Sequence, residues 1–246
     1  MRRCTYFALI TGALCLFFGQ ASLAQSAPAD SSSQLNAFNN SLALFYGSMG
    51  KQSPLFNGTD YSFYGPSIKG TAYYSEVKAF TPANIYYDRV LFTGVPMLYD
   101  IYTDQVVVLL YNHFTKFALV KQKVTSFDFL DHHFINIDAD SLANNTIIRS
   151  GFYDELYKGK LQVLAKRSKN IQNSGNSESY FNLQTEYYIR KNNIYYSISG
   201  KGSLLAVLKD RKKDLQQYIR TNEIKYNKDP EEAMVKIASY YDHLTK

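Results

Sequence analysis

Residues 85–99 read IYYDRVLFTGVPMLY and indicate the class of fold to which the chain belongs. Three short runs of β-branched and aromatic residues are separated by two breaks, Asp88-Arg89 and Thr93-Gly94. Valine, isoleucine, tyrosine and phenylalanine favour strands, whereas aspartate and glycine between such runs favour tight turns. The stretch therefore predicts three short strands joined by hairpin turns, which is typical of an antiparallel sheet.

The same alternation of apolar runs and turn residues continues toward the C-terminus. Thr103-Asp104 predicts a tight turn, with further strands after it up to residue 137. Two hairpins are expected beyond, one turning at Lys158-Gly159 and one at residues 191–193, with residues 170–179 as a polar loop between them. The strands expected in this part are 105–111, 116–124, 126–130, 133–137, 151–157, 160–166, 180–190 and 194–199.

The end of the chain changes to helical periodicity. A helix over about 203–220 is predicted, with Ser203 as its N-cap and one leucine-rich face. A second helix over 230–244 is predicted from Asp229 as N-cap and Pro230 at the first helical position. The fold class is therefore α+β: a β-rich, mostly antiparallel sheet of hairpins with two C-terminal helices. Such a sheet can curl into a half-barrel or divide into a sandwich, and both remain open.

The N-terminus reads as an export signal. Arg2 and Arg3 precede an apolar stretch over residues 6–18, and Ala24 ends a cleavage site of small residues. Residues 1–24 are predicted to be a signal peptide, residues 25–34 a polar disordered tether, and residues 35–246 a single β-rich domain. Cleavage would remove two of the 27 basic residues and none of the 21 acidic ones. The pattern over residues 35–49 fits either a strand or a short helix.

The positions of the cysteines and of the charged residues limit where in the cell the protein can be and which partners it can have. Cys4 and Cys15 both lie inside the predicted signal, so the mature chain would carry no thiol, which suits an oxidising compartment. We expect export through the inner membrane, to the periplasm, the outer membrane or the medium. No later stretch is long and apolar enough for a transmembrane span. Basic residues are dispersed along the chain, so no nucleic-acid partner is expected.

Candidate catalytic and metal-ligating residues are few. His132 and His133 are adjacent, so on a strand they point to opposite faces, and only Asp131 would share the face of His133. Residues 136–140 resemble the start of a calcium loop but lack its central glycine. Neither a Gly-x-Ser-x-Gly elbow nor a phosphate-binding glycine loop occurs. The sequence accordingly assigns no catalytic, cofactor-binding or metal-binding residue, and no cofactor is expected.

Tyrosine is the compositional outlier, since the chain has 22 tyrosines and 16 phenylalanines but no tryptophan. Four tyrosine pairs fall in strand-like segments, where neighbouring side chains point to opposite faces. Either both faces of the sheet are covered, or one aromatic face is exposed to bind a sugar, a peptide or a membrane interface. The pairs are Tyr73-Tyr74, Tyr86-Tyr87, Tyr187-Tyr188 and Tyr195-Tyr196.

A set of glycines, aromatic residues and charged residues is spread in a distinctive order along most of the chain. It comprises Asn57-Gly58, Tyr61, Gly70, Tyr73, Tyr87-Asp88, residues 95–100, Asp104, residues 151–153, residues 156–159, Lys166-Arg167 and the helical tail over residues 204–241. With these residues the chain resembles an exported protein family common in Bacteroidota. The resemblance implies an uncharacterised envelope protein, because that family has no established activity. It carries no site residue over to this chain.

Three functions remain in view, in a definite order. The first is a non-catalytic, accessory protein of the cell envelope whose β-rich body binds a partner protein or another envelope component. The second is a periplasmic carrier, in which the sheet and the helices shelter a lipid or another apolar ligand. The third is a hydrolase built from dispersed carboxylates or His133, which requires two such groups to converge in a cleft.

Overall fold

The computed structural model describes most of the chain beyond the predicted tether. Residues 57–110, 114–142, 147–175 and 178–245 are described, together with Gln34, Ala37, Phe38, Asn40, Ser41, Leu44, Phe45, Ser48, Leu55 and Asn112. The predicted signal peptide and residues 25–33 lie outside the described residues. The chain divides after Phe38 into two units, and in the shorter one the three described residues are helical. In the longer unit the described positions from 40 to 48 are helical, in agreement with the helical alternative for that segment.

Twelve strands of the described residues form one hydrogen-bonded sheet. They are β1 (Gly58–Asp60), β2 (Ile68–Lys69), β3 (Thr81–Tyr87), β4 (Val90–Asp100), β5 (Gln105–Leu109), β6 (Lys116–Leu119), β7 (Val124–Phe129), β8 (His132–Ile137), β9 (Gly151–Lys158), β10 (Gln162–Asn173), β11 (Ser179–Lys191) and β12 (Ile194–Ile198). Eleven of them follow one another in the order β1-β6-β5-β4-β3-β7-β8-β9-β10-β11-β12, and β2 lies off this path. The predicted antiparallel sheet is confirmed, and only β2 pairs in parallel, with β11.

The sheet is strongly curled. β6 and β7 follow each other in sequence but lie four strand positions apart, which is about 19 Å in a flat sheet. The link from Leu119 to Val124 can span at most about 17 Å even when fully extended. Part of that link is a compact 3₁₀ turn, Lys121–Lys123. The chain can therefore connect these two strands only because the strands between them bend toward each other.

Aromatic side chains fill the inside of the curl. Phe127 stacks on Phe134 with 4.9 Å between ring centroids, and Tyr99 meets these rings edge-on at 5.2 and 5.1 Å. Phe152 packs edge-on against Phe127 at 5.2 Å. All four rings are at most 1% exposed, so they pack as densely as an ordinary protein core. Side chains therefore occupy the space that the curled strands enclose here.

Residues 90–100 form one strand, so the predicted turn at Thr93-Gly94 is wrong. Gly94 has a φ of 66° and lies opposite a break in the β3–β4 register, between Ala83 and Ile85. The break is a bulge, where glycine adopts the positive φ without penalty and the strand bends but continues. The other turn, at Asp88-Arg89, is confirmed, since both residues have the positive φ of a two-residue hairpin.

The longest pairing joins β10 and β11 over twelve residue pairs. Only Gln162–Ala165 of β10 also pair with β9, and only residues 187–191 of β11 pair with β12. The far half of this hairpin thus extends past β9 on one side and past β12 on the other. Because β10 continues to Asn173, the predicted polar loop over 170–179 is shorter than expected, at residues 174–178.

Three helices follow the sheet rather than two: α1 (Lys201–Val207), α2 (Lys212–Thr221) and α3 (Pro230–Leu244). A 3₁₀ turn over Lys209–Arg211 interrupts the predicted helix 203–220. Gly200, not Ser203, is the N-cap of α1, and the Ser203 hydroxyl accepts the Gly200 N–H at 3.1 Å from within the first turn. Helix α3 begins as predicted, because the Asp229 carboxylate accepts the N–H of Glu232 at 2.9 Å.

Helix α3 is fixed to the β9–β10 turn by a buried carboxylate. Asp242 accepts the N–H groups of Lys160 at 2.6 Å and Leu161 at 3.1 Å, and the Tyr157 hydroxyl at 3.1 Å. A Cβ atom on Gly159 would lie 2.1 Å from an Asp242 oxygen, so the predicted Lys158-Gly159 turn requires its glycine. The apolar cluster under the helices includes Leu161, Val163, Ile189, Ile198, Leu204, Leu208, Leu215, Met234 and Ile237.

Candidate binding site

Four aromatic residues form a surface where the segment before β3 meets β11. We call Phe63, Tyr64, Tyr102 and Phe181 the aromatic surface. Phe63 is 50% exposed and Tyr102 is 38% exposed. The rings of Tyr64, Tyr102 and Phe181 lie edge to face, with centroids 5.3 to 5.5 Å apart. Exposed rings grouped in this way are characteristic of binding surfaces rather than of ordinary solvated ones.

A small pocket of about 200 Å³ opens beside these rings. Ligand sites for whole small molecules usually measure about 300–1,000 Å³, so this pocket suits one side chain or ring. The Lys116 ammonium lies 4.7 Å from the centre of the Phe63 ring. The pocket is lined by Phe63, Tyr64, Gly65, Pro66, Ile68, Gly70, Thr71, Ala72, Tyr73, Lys78 and Phe181.

A buried carboxylate holds the aromatic surface from below. Asp100 is 0% exposed, and its Oδ2 accepts the hydroxyls of Tyr61 at 2.9 Å and Tyr64 at 2.7 Å. Its Oδ1 accepts the N–H groups of Tyr102 at 2.9 Å and Thr103 at 3.1 Å. These four hydrogen bonds satisfy the carboxylate and at the same time position Tyr64 and Tyr102. Asp100 therefore sets the geometry of half of the aromatic surface.

The two phenol donors to Asp100 stay protonated. Burial raises the pKa of Tyr61 far above its usual value of 10, and hydrogen bonds to Tyr73 and Asp100 act in the same direction. Burial, followed by the hydrogen bond to Asp100, also raises the pKa of Tyr64 well above 10. Both hydroxyls accordingly keep donating to Asp100 throughout the physiological pH range. Neither of the two phenols that hold the aromatic surface loses its proton in that range.

A buried lysine fixes the loop before β3 to the β10–β11 hairpin. The Lys169 side chain is 1% exposed and donates to the carbonyl oxygens of Thr71 at 2.6 Å and Tyr73 at 3.0 Å. It also donates to the Glu76 carboxylate. Partial burial acts to raise the pKa of Glu76, but the bond to Lys169 outweighs it and lowers the pKa. One ammonium on β10 thus binds the loop that carries the pocket wall.

A second charged cluster joins β9, β10 and α3. Arg167 donates to Asp154 at 3.0 and 2.5 Å, and to Glu231 through two bonds of 2.9 Å. Burial opposes the charge, but the bonds to Glu231 and Asp154 raise the pKa of Arg167 above its usual range. The Tyr187 hydroxyl donates to Glu231 at 2.9 Å, and His132 Nδ1 lies 2.8 Å from Asp154. Both carboxylates face the guanidinium, as in a structural ion network.

Protonation of His132 is expected to stabilise the folded protein. The hydrogen bond to Asp154 outweighs partial burial and raises the pKa of His132 above 6.5. Because the folded pKa is the higher one, this stabilisation is complete below the unfolded pKa and is lost as the pH rises through the folded pKa. As the pH rises above about 6.5, the free energy of unfolding should therefore fall more steeply in the wild type than in His132→Gln. Parallel pH profiles of the two proteins would contradict this.

A third charged cluster is centred on Asp104, which ties the β4–β5 turn to β10. It accepts Lys166 at 2.7 Å, Lys121 at 2.5 Å and the Tyr99 hydroxyl at 2.7 Å. Burial acts to raise the pKa of Asp104, but the two ammonium groups outweigh it and lower the pKa. A Cβ atom on Gly151 would lie 2.4 Å from the Asp104 carboxylate, so this approach requires glycine. The predicted turn at Thr103-Asp104 is confirmed, with an Asp104 φ of 56°.

The tyrosine pairs singled out in the sequence do not make the aromatic surface. Tyr73 and Tyr74 are both buried, and they precede β3 rather than lying in a strand. Tyr87 and Tyr188 are buried, while their sequence neighbours and the pair Tyr195-Tyr196 are half-buried. Of the two alternatives for these pairs, the buried and half-buried side chains fit a sheet with both faces covered and not one with an exposed tyrosine face. The rings of the aromatic surface come from a loop, a turn and the start of β11, and of these Phe63 and Tyr102 are exposed while Tyr64 and Phe181 are half-buried.

The candidate metal and acid–base residues lie apart. His133 Nδ1 lies 2.6 Å from Asp128 on the adjacent strand, whereas Asp131 sits in the β7–β8 turn with a φ of 63°. In residues 136–140 the Asp138 carboxylate accepts the N–H of Asp140 at 3.2 Å and caps a 3₁₀ turn. In the part of the chain that the structure describes, no three His, Cys, Asp or Glu side chains are grouped closely enough to hold a metal ion.

Sequence reasoning missed the aromatic surface because its residues are far apart along the chain. The glycines, prolines and asparagines of residues 50–70 predict turns and short extended pieces, and Phe181 falls within the predicted strand 180–190. The available signal was a pair of aromatic residues, Phe63-Tyr64, placed directly before Gly65-Pro66. Large apolar residues in a turn segment have no strand or helix face to bury them, so they are exposed unless a distant element covers them.

An open groove lies on another part of the longer unit. It measures about 810 Å³ and runs along the bulge of β4. Its walls are mostly apolar, and helical residues contribute to one side of it. Residues lining it include Leu44, Leu55, Leu91, Val95, Pro96 and Leu109. The groove borders the core cluster that contains the packed aromatic rings, and it shares no lining residue with the pocket beside the aromatic surface.

Among the described residues, no helix combines the length and the apolar character needed to cross a membrane. No known protein family, curated protein or solved structure matches this chain.

Proposed function

We propose that this chain is an exported, non-catalytic accessory protein of the cell envelope that binds a protein partner through its aromatic surface. The observation that carries the proposal is the combination of exposed rings with buried supports. Asp100 and Lys169 are both buried charged groups, and both hold the segment that presents Phe63 and Tyr64. Rigid aromatic side chains lose little conformational entropy on binding, so such surfaces commonly anchor protein partners.

The geometry of the rings favours a polypeptide over a sugar. Tyr64, Tyr102 and Phe181 pack edge to face with one another, so they present a corrugated surface with a pocket. A sugar ring needs a flat, open aromatic face on which to stack, whereas a single apolar side chain fits a pocket of about 200 Å³. The predicted signal peptide over residues 1–24 is the support for export and for an envelope location.

Replacing Phe63 with alanine is expected to weaken peptide binding with little change in stability. Peptides would be selected on the mature wild-type protein from a displayed library of random seven-residue sequences. Phe63 is half exposed, so its removal opens no cavity, but it removes one wall of the pocket. Loss of a central aromatic contact should weaken binding of the selected peptides about 10- to 30-fold, measured by fluorescence anisotropy.

Ile194→Ala is the matched control for this experiment. Ile194 is also a large, half-exposed apolar residue, but it lies on β12, outside the pocket lining. Its replacement should leave the affinity for the selected peptides unchanged. Selection of no peptide, or equal affinity for Phe63→Ala and wild type, would overturn the proposed function.

The groove along β4 favours a second candidate, the carrier of a lipid or another apolar ligand. Its volume of about 810 Å³ is within the range of small-molecule sites, and its walls are largely apolar. Native mass spectrometry of the mature protein purified from its own host distinguishes the two candidates. A retained small apolar mass would favour the carrier, and bare protein or a bound polypeptide would favour the accessory protein.

A further inference from the structure

The outer edge of β11 has a gap in its hydrogen bonding. On this edge β2 pairs with Ser179 and Tyr180, and β12 pairs with residues 187–191. In the described part of the chain no strand pairs with residues 181–186 on that side. The gap from Tyr180 to Tyr187 is about 23 Å long at the rise of an extended strand. It is therefore a notch in the sheet, with one of the chain's own strands at each end.

Both ends of β11 show which of its main-chain groups face the notch. Beyond the end of β10, the N–H of Ser174 bonds to the carbonyl of Glu178, so even-numbered residues of β11 bond toward β10. At the other end, the two-residue turn Asn192-Asn193 makes Lys191 and Ile194 a hydrogen-bonded pair, so odd-numbered residues bond toward β12. The two ends agree, and the odd-numbered residues in the gap face outward.

Leu183 and Thr185 are the two residues at the centre of the notch. Their N–H and C=O groups lie in the plane of the sheet and point away from β10. Among the described residues no main-chain group pairs with them. The Leu183 side chain is 55% exposed. Phe181 and Leu183 lie on the same face of β11, because side chains alternate along a strand. The unpaired main chain thus runs alongside the aromatic surface.

We infer that an extended polypeptide segment binds in this notch as an added strand and places one apolar side chain against the aromatic surface. This inference rests on the proposed function and names the form of its partner. Outward N–H and C=O groups at strand spacing recognise another extended backbone, which neither a lipid nor a sugar supplies. The pocket beside Phe181 then selects a side chain of the segment, while the notch binds its main chain.

The dimensions of the notch favour a single segment over a second copy of this chain. A copy would have to present its own β11 edge, and that edge is equally recessed between its own β2 and β12. Two recessed edges cannot approach to the ~4.8 Å spacing of paired strands. One extended segment with no flanking strands can enter, as in other complexes formed by strand addition.

The first test acts on the peptide and leaves the protein unchanged. The probes are the peptides selected on the wild-type protein, remade with N-methyl groups on alternate amides in each of the two possible phases. Methylation in the phase that faces β11 should weaken binding about 10- to 100-fold, because it removes main-chain donors. Methylation in the other phase should have little effect. Equal effects of the two phases would overturn the inference.

The second test follows single amide protons by NMR hydrogen exchange. In the free protein the N–H groups of Leu183 and Thr185 should exchange fast, while those of Asn182 and Gln184, which bond to β10, should be protected. Addition of a selected peptide should slow exchange at Leu183 and Thr185 specifically. Unchanged exchange at both, with the peptide bound, would overturn the inference while leaving the proposed function standing.

A protein variant gives an independent check. Leu183→Pro removes the outward N–H, at a position where proline is tolerated because the group does not bond to β10. Leu183→Ala keeps the N–H and is the control for the lost side chain. We expect binding of the selected peptides to fall at least about 10-fold further in Leu183→Pro than in Leu183→Ala. Equal affinities of the two variants would contradict strand addition, and selection of no peptide at all would overturn the proposed function as well.

Discussion

Arg167→Ala is expected to lower the free energy of unfolding by about 3–5 kcal/mol, because it leaves the buried Asp154 carboxylate without its cation. Asp154 is 1% exposed and loses two hydrogen bonds, and Glu231 loses two more. The partly exposed His132 remains near Asp154, but it cannot replace a bidentate guanidinium. Typical domains are stable by only about 5–15 kcal/mol, so this loss is a large fraction of the total stability.

Urea denaturation followed by circular dichroism measures this effect. Arg190→Ala is the matched control: it lies on the same hairpin, but its guanidinium donates to Asn193 in an exposed turn at 2.8 Å and lies 5.8 Å from the centre of the Tyr195 ring. We expect that change to cost less than about 1 kcal/mol. Arg167→Lys should fall between the two, since it keeps the charge and loses the paired geometry. A cost for Arg167→Ala as small as that for Arg190→Ala would show that the cluster does not hold α3 to the sheet.

Asp100→Ala is expected to destabilise the protein by about 3–5 kcal/mol and to disorder the aromatic surface. The change removes the acceptor of four hydrogen bonds, two from tyrosine hydroxyls and two from backbone N–H groups. It also leaves a cavity at a position that is fully buried. Because Tyr64 loses its anchor, binding of the selected peptides should weaken together with the stability.

Asp100→Asn separates the two effects. The amide keeps an oxygen for the N–H groups of Tyr102 and Thr103, but it replaces the acceptor used by Tyr61 and Tyr64. We expect a smaller loss of stability, about 1–2 kcal/mol, with a clear loss of peptide affinity. Differential scanning calorimetry and fluorescence anisotropy on the same samples measure both quantities. Full affinity in a folded Asp100→Asn protein would show that the surface does not depend on its anchor.

Local features of this fold could be predicted because their causes are local. The turns at Asp88-Arg89 and Lys158-Gly159 follow from residues that tolerate tight turns, and the start of α3 follows from a capping aspartate before proline. Gly94 was misread for a related reason: glycine serves both turns and bulges, and only the partner strand distinguishes them. The interruption of the predicted helix 203–220 after Val207 likewise depends on packing, which the leucine-rich face alone does not reveal.

The candidate site could not be predicted because its supports are non-local. Asp100 holds Tyr61 across 39 positions, and Lys169 holds Tyr73 across 96 positions. A single sequence carries no information on such pairs, since Asp100 and Lys169, taken alone, are typical of ordinary surface charges. The notch beside Leu183 depends on where two other strands end, which only the pairing of the sheet determines.

The parallel pairing of β2 with β11 has a consequence for the order of folding. Ile68 pairs with Ser179, which lies about 110 residues further along the chain. Most other neighbouring strands follow each other in sequence and form hairpins. Such pairings of high contact order form late, because the loop-closure entropy must be overcome before the contact contributes. When the chain emerges N-terminus first, the segment with Phe63 and Tyr64 is among the first parts of the domain available and among the last to be fixed. Folding of the hairpins thus precedes assembly of the binding surface.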